Sequence, residues 1–152
     1  VKIKLAALIA FLATQCAVAA GDAPPGHPDL GSVHGGIAKS ADFGVVNVAK
    51  AEGPDARTVA EVNADRQALK DRTVTVRAKV VKVTANVMGK NWVHVRDGSG
   101  AASDGSNDLV VTSNAEPTVG DVVVVKGVVR TDVNIGSGYA YKVLVENASF
   151  QR

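Results

Sequence analysis

At 152 residues and 15.6 kDa the chain has room for one ordinary domain with a tail, which excludes a multidomain enzyme. A single cysteine excludes a disulfide framework, a cysteine-rich zinc site and an iron–sulfur cluster. The formal charge is only +2, from 17 basic and 15 acidic residues, so non-specific binding to a polyanion has weak support.

Residues 1–20 have the three-part layout of an export signal. Lys2 and Lys4 make a basic start, residues 5–13 are an apolar run, and Ala17, Ala19 and Ala20 are small residues at a cleavage position. The run is shorter than the ~20 residues a transmembrane helix needs, so no membrane span is expected in the processed chain. A periplasmic or secreted location follows. Cys16 raises a lipoprotein alternative, but Gln15 before it matches a lipobox poorly, and cleavage after Ala19 or Ala20 discards the thiol. Removing Lys2 and Lys4 leaves fifteen basic against fifteen acidic residues.

Residues 21–54 read as a flexible leader. Pro24, Pro25, Pro28 and several glycines punctuate it, and it holds too few large apolar residues to offset the entropy of ordering. A short strand over 45–49 is an option within it. The folded unit is expected over 55–152. Thr58 and Glu61 have the spacing of a capping box, and Val59, Val62 and Leu69 with Ala68 form one apolar stripe, which predicts a helix of about four turns ending near 71.

From Val74 the pattern turns to strands, expected over 74–84, 91–97, 108–112, 121–130 and 139–147. In the first, Val74, Val76, Ala78 and Val80 share a parity that Val81 and Val83 break, so a bend or bulge is expected there. The fourth is rich enough in valine for burial on both faces. No gap hides a helical crossover, so the strands are expected to pair antiparallel. Five short strands with a long bent first one predict a mainly β, five-stranded antiparallel OB-fold barrel, preceded by one helix and the leader.

The most informative stretch is the second strand. Alternation puts Val93 and Val95 on the inner face and Lys90, Trp92, His94 and Arg96 together on the other. An indole offers a flat surface on which a base can stack, Lys90 and Arg96 can neutralise an anion, and His94 can add a hydrogen bond. The competing reading has Trp92 covered and structural. Tyr139 and Tyr141 share a face that either extends this platform or plugs the barrel, and the parity of Val143 and Val145 favours the plug.

Residues 73–83, 91–100 and 119–129 resemble the OB-fold of the tRNA-anticodon-binding kind, in which the aromatic at Trp92 can stack on a nucleotide. With an export signal, a helix and a barrel, residues 58–145 are more similar to exported bacterial OB-fold proteins, including the periplasmic bacterial OB-fold family. That resemblance implies a nucleic-acid-binding or DNA-binding fold type and, for some members, a link to envelope stress responses.

The acidic, glycine-rich loop of 97–108 offers Asp97, Asp104, Asn107 and Asp108 as oxygen ligands for a hard cation, but its spacing fails as an EF-hand and a plain hairpin loop fits it better. The loop of 132–138 is a second frame for a ligand groove. Catalysis is not expected: no thiol survives export, spacing fixes no Ser or carboxylate partner for His94, and no phosphate-cradling glycine pattern precedes a helix. No cofactor is expected. Two functions stand: an exported, non-enzymatic module binding single-stranded nucleic acid or another anionic chain through Lys90, Trp92, His94, Arg96, Tyr139 and Tyr141, or an envelope-stress or accessory protein binding a cation, a small ligand or a protein partner.

Overall fold

The computed structural model describes residues 38–136 and 138–152. The expected export signal and residues 21–37 of the leader lie outside the described residues. The chain is mainly β, with six strands: β1 (Ala38–Ser40), β2 (Thr73–Val87), β3 (Lys90–Arg96), β4 (Leu109–Ser113), β5 (Val122–Gly136) and β6 (Tyr139–Gln151). Two short helices, α1 (Val59–Ala64) and α2 (Arg66–Leu69), stand between β1 and β2. Among the described residues no helix is long and apolar enough to cross a membrane.

The sheet runs β1-β2-β3-β4-β6-β5, and β5 also pairs with β2, so the pairing path leaves β2 and returns to it. Strand β2 achieves this by dividing its length: residues 73–78 pair with β5 and residues 79–87 with β3, while β1 pairs with residues 82–84. The change of parity at Val81 is a register shift between Val80 and Lys82, the bulge that the sequence pattern requires.

Three expectations need correction. Strands β4 and β6 pair in parallel, at Val111 and Val145. The crossover that parallel pairing needs is supplied by β5 itself, a 15-residue strand laid beside β2 before the chain hairpins back as β6. The loop of 132–138 is mostly strand: Val133, Asn134 and Gly136 pair with β6, Ile135 lies in a register shift between them, and Asp132 takes φ 55°. Strand β5 buries one face only, with Val123, Val125 and Val129 inside and Val122 and Val124 half-covered.

The helix differs too. Asp65, at φ −95° and ψ 16°, divides the expected single helix into α1 and α2, and Ala68 faces solvent. Val59, Val62 and Leu69 nevertheless bury together against the strands' larger apolar cluster, which includes Val76, Val95 and Val125. Full burial of such a side chain is worth about 1.5–3 kcal/mol. The capping box is present: the Glu61 N–H donates to Thr58 Oγ1 at 3.1 Å, and the Thr58 N–H donates to Glu61 Oε2 at 2.7 Å. Replacing Thr58 by alanine is expected to cost about 1 kcal/mol, read from the urea midpoint; an unchanged midpoint would deny the cap a role in stability.

Residues 45–49 form no strand. Val45 is exposed, and the segment is pinned where the Val48 N–H donates to the Asp97 carbonyl at 2.8 Å. It passes so close to Gly98 (φ +95°) that a Cβ there would lie 2.2 Å from the Val46 carbonyl oxygen, so no side chain fits at that position.

Candidate functional site

Lys90, Trp92, His94 and Arg96 share one face of β3, while Val93 and Val95 lie in the larger cluster behind them. The face is not an open platform. Trp92 is 5% exposed and His94 9%. A second apolar cluster of Val87, Trp92, Val110, Tyr139, Tyr141 and Leu144 covers the ring, with Val133 and Ile135 packed against it. The cover is the β5–β6 hairpin, not the helices. The Trp92 Nε1–H donates to the Val87 carbonyl at 3.0 Å, and the Tyr141 ring lies 5.4 Å away, tilted by 31°. Tyr139 and Tyr141 therefore neither extend a platform nor plug the larger cluster. They pack with Trp92 in the second cluster, whereas Val143 and Val145 lie in the larger one. Burial, then the neighbouring Tyr139, pushes the Tyr141 phenol up to about 12.

The polar half of the stripe is held internally. Asp108, 4% exposed, bridges His94 Nδ1 at 2.6 Å and the Arg96 Nε–H at 2.9 Å. This carboxylate was not predicted as a partner for His94, because the two are fourteen residues apart in sequence. The antiparallel β3–β4 register, which sets His94 opposite Val110, carries the start of β4 alongside and supplies it. Lys90 Nζ donates to Asn147 Oδ1 at 2.8 Å and lies 3.6 Å from Glu146. Glu146 also accepts from Arg130 Nε at 3.0 Å, which, with Lys90 nearby, holds its carboxyl below the usual range. Arg130 completes the row with an ion pair to Asp71.

The carboxylates of the acidic loop make hydrogen bonds and ion pairs within the protein. Asp97 accepts the Val59 N–H at 2.8 Å and both the N–H and Oγ–H of Ser99, so it caps α1 together with Ser99, whose Oγ accepts the Ala60 N–H. Asp104 accepts the Ser106 N–H. Asp108 is committed to His94 and Arg96. Among the described residues no group of three or more His, Cys, Asp or Glu side chains could hold a metal ion.

What remains open is a cleft beside the stripe. It lies between the turn after β2 and the β5–β6 hairpin, with a volume of about 190 Å³. Trp92, Val133, Ile135 and Leu144 give it apolar walls, Thr112 adds a hydroxyl, and Lys90, Arg130 and Glu146 form a mixed-charge rim. Met88, 62% exposed, stands at its mouth. Sequence reasoning found Trp92 and Lys90 but missed Thr112, Arg130, Leu144 and Glu146. Opposite parities in distant strands gave no signal until the β4–β6 seam placed them together.

No family model, curated protein or solved structure matches the chain.

Proposed function

We propose that this chain is an exported, non-enzymatic OB-fold protein that binds a small ligand or a partner's side chain in the cleft beside Trp92. The fold reading rests on the pairing order, in which β2, β3, β4, β6 and β5 return to β2 with one parallel step between β4 and β6. With β2 as the first barrel strand, β3 and β4 become the second and third, whose outer face and flanking loops are the usual docking surface of that architecture. The observation that carries the functional reading is the position of the cleft: it opens on that face, between the two loops that frame it. Export rests on the layout of residues 1–20.

The first alternative, a single-stranded nucleic acid or another anionic chain, draws less support. Stacking of successive bases needs an open aromatic face, and Trp92, 5% exposed, offers only a wall of a small cleft. Arg96 and His94 are engaged by Asp108, and Glu146 offsets Lys90 and Arg130 at the rim.

Residue-resolved NMR titration of the full chain separates the two. A library of small organic fragments is expected to shift the amides of Lys90, Trp92, Thr112, Ile135 and Leu144. A single-stranded oligonucleotide at physiological salt is expected to leave them in place. Salt-dependent oligonucleotide shifts along β3 would overturn the proposal in favour of nucleic acid.

A further inference from the structure

The cleft has one feature that its apolar walls do not explain. Thr112 is 3% exposed, lines the cleft, and its Oγ1 has no hydrogen-bond partner among the described residues. Buried hydroxyls are normally paired, and an unpaired one at the wall of a cleft marks where a ligand's polar atom is wanted. Thr112 stands directly opposite Trp92 in the β3–β4 register, on the same face. Neighbours so placed have Cβ atoms about 5 Å apart, so a group resting on the indole brings its edge to the hydroxyl.

Size and charge narrow the class. An apolar cavity of about 150 Å³ accepts a benzene ring. At about 190 Å³ this cleft suits one six-membered ring with a small substituent. The rim discriminates by sign in neither direction, since Glu146 is shared by Lys90 and Arg130. A phosphate or dicarboxylate would meet that carboxylate. An amine would meet the two cations.

We infer that the cleft binds a neutral, single-ring hydroxyaromatic molecule, a phenol, with its ring against Trp92 and Leu144 and its hydroxyl hydrogen-bonded to Thr112 Oγ1. This rests on the reading of the cleft as the binding site and adds the chemistry of its ligand. The hydroxyl of a threonine both donates and accepts, so it can meet a phenol in either sense. The apolar walls take the ring out of water.

The chain contains one tryptophan, so a single indole N–H resonance reports on the cleft of the full-length protein. Phenol and toluene are the probes. Phenol is expected to shift that resonance saturably. The Thr112→Val variant, of the same shape without the hydroxyl, is expected to weaken phenol about three- to tenfold and to leave toluene unchanged. Thr112→Ser, which keeps the hydroxyl, is expected to retain phenol binding and covers the case in which the valine variant does not fold. An equal change for both probes, or none for phenol, overturns the hydroxyl assignment. Absence of any phenol shift while other fragments move the cleft amides overturns the phenol class and leaves the cleft reading intact. Silence of every small probe overturns both.

Discussion

Replacing Trp92 by alanine is expected to lower the stability of the folded chain by about 3–5 kcal/mol, the usual cost of deleting a buried large aromatic. The ring is the centre of the outer cluster: it touches Tyr141, donates to the Val87 carbonyl and leaves only 5% of its surface exposed. Its removal leaves a cavity between β3 and the hairpin that rigid strands cannot close. Urea unfolding followed by far-ultraviolet circular dichroism checks this, since the variant has no tryptophan to observe. A loss below about 0.5 kcal/mol, the range of an ordinary surface substitution, would mean that the indole stands in water after all. The same measurement therefore decides between a structural ring and a stacking platform without any ligand being known.

Replacing Asp108 by alanine is expected to cost about 3 kcal/mol or more. The carboxylate is buried and shared by His94 and Arg96, and removing it leaves the buried imidazole and the half-exposed guanidinium without their common partner. Asp108→Asn keeps the shape and one acceptor oxygen, so it is expected to fall between the wild type and alanine. Equilibrium unfolding of the pair near neutral pH provides the check. Equal stability of all three proteins would show that the buried group holds nothing together. A loss in Asp108→Ala with Arg96→Ala unaffected would assign the effect to His94 alone.

Much of the fold was legible because local chemistry dictated it. The capping box at Thr58 and Glu61, the valine alternation of β2 and its break at Val81 are all short-range statements, and each is present. The β4–β6 pairing was not legible, since the expectation of an antiparallel sheet rested on the absence of a helical crossover, and here a strand crosses over instead. The 132–136 segment was misread for a related reason. Asp, Asn and Gly were weighed as turn residues, whereas the alternation of Val133 and Ile135 with them extends the hairpin and gives the indole its cover. Alternation correctly put Lys90, Trp92, His94 and Arg96 on one side of β3. It could not tell whether that side faced water or a second cluster, because both the tyrosines and Asp108 come from other strands.

That arrangement makes β3 a partition between two compartments of opposite character. One side of it looks onto valines, the other onto an aromatic cluster and an imidazole–carboxylate–guanidinium cluster. A slip of the ladder by a single residue would exchange the two, carrying His94 and Arg96 among the valines and turning Val93 and Val95 toward Asp108. The desolvation cost of that error, several kcal/mol for each stranded polar group, leaves the strand one workable alignment. The buried acid thus guards the alignment of the sheet as well as holding its two neighbours.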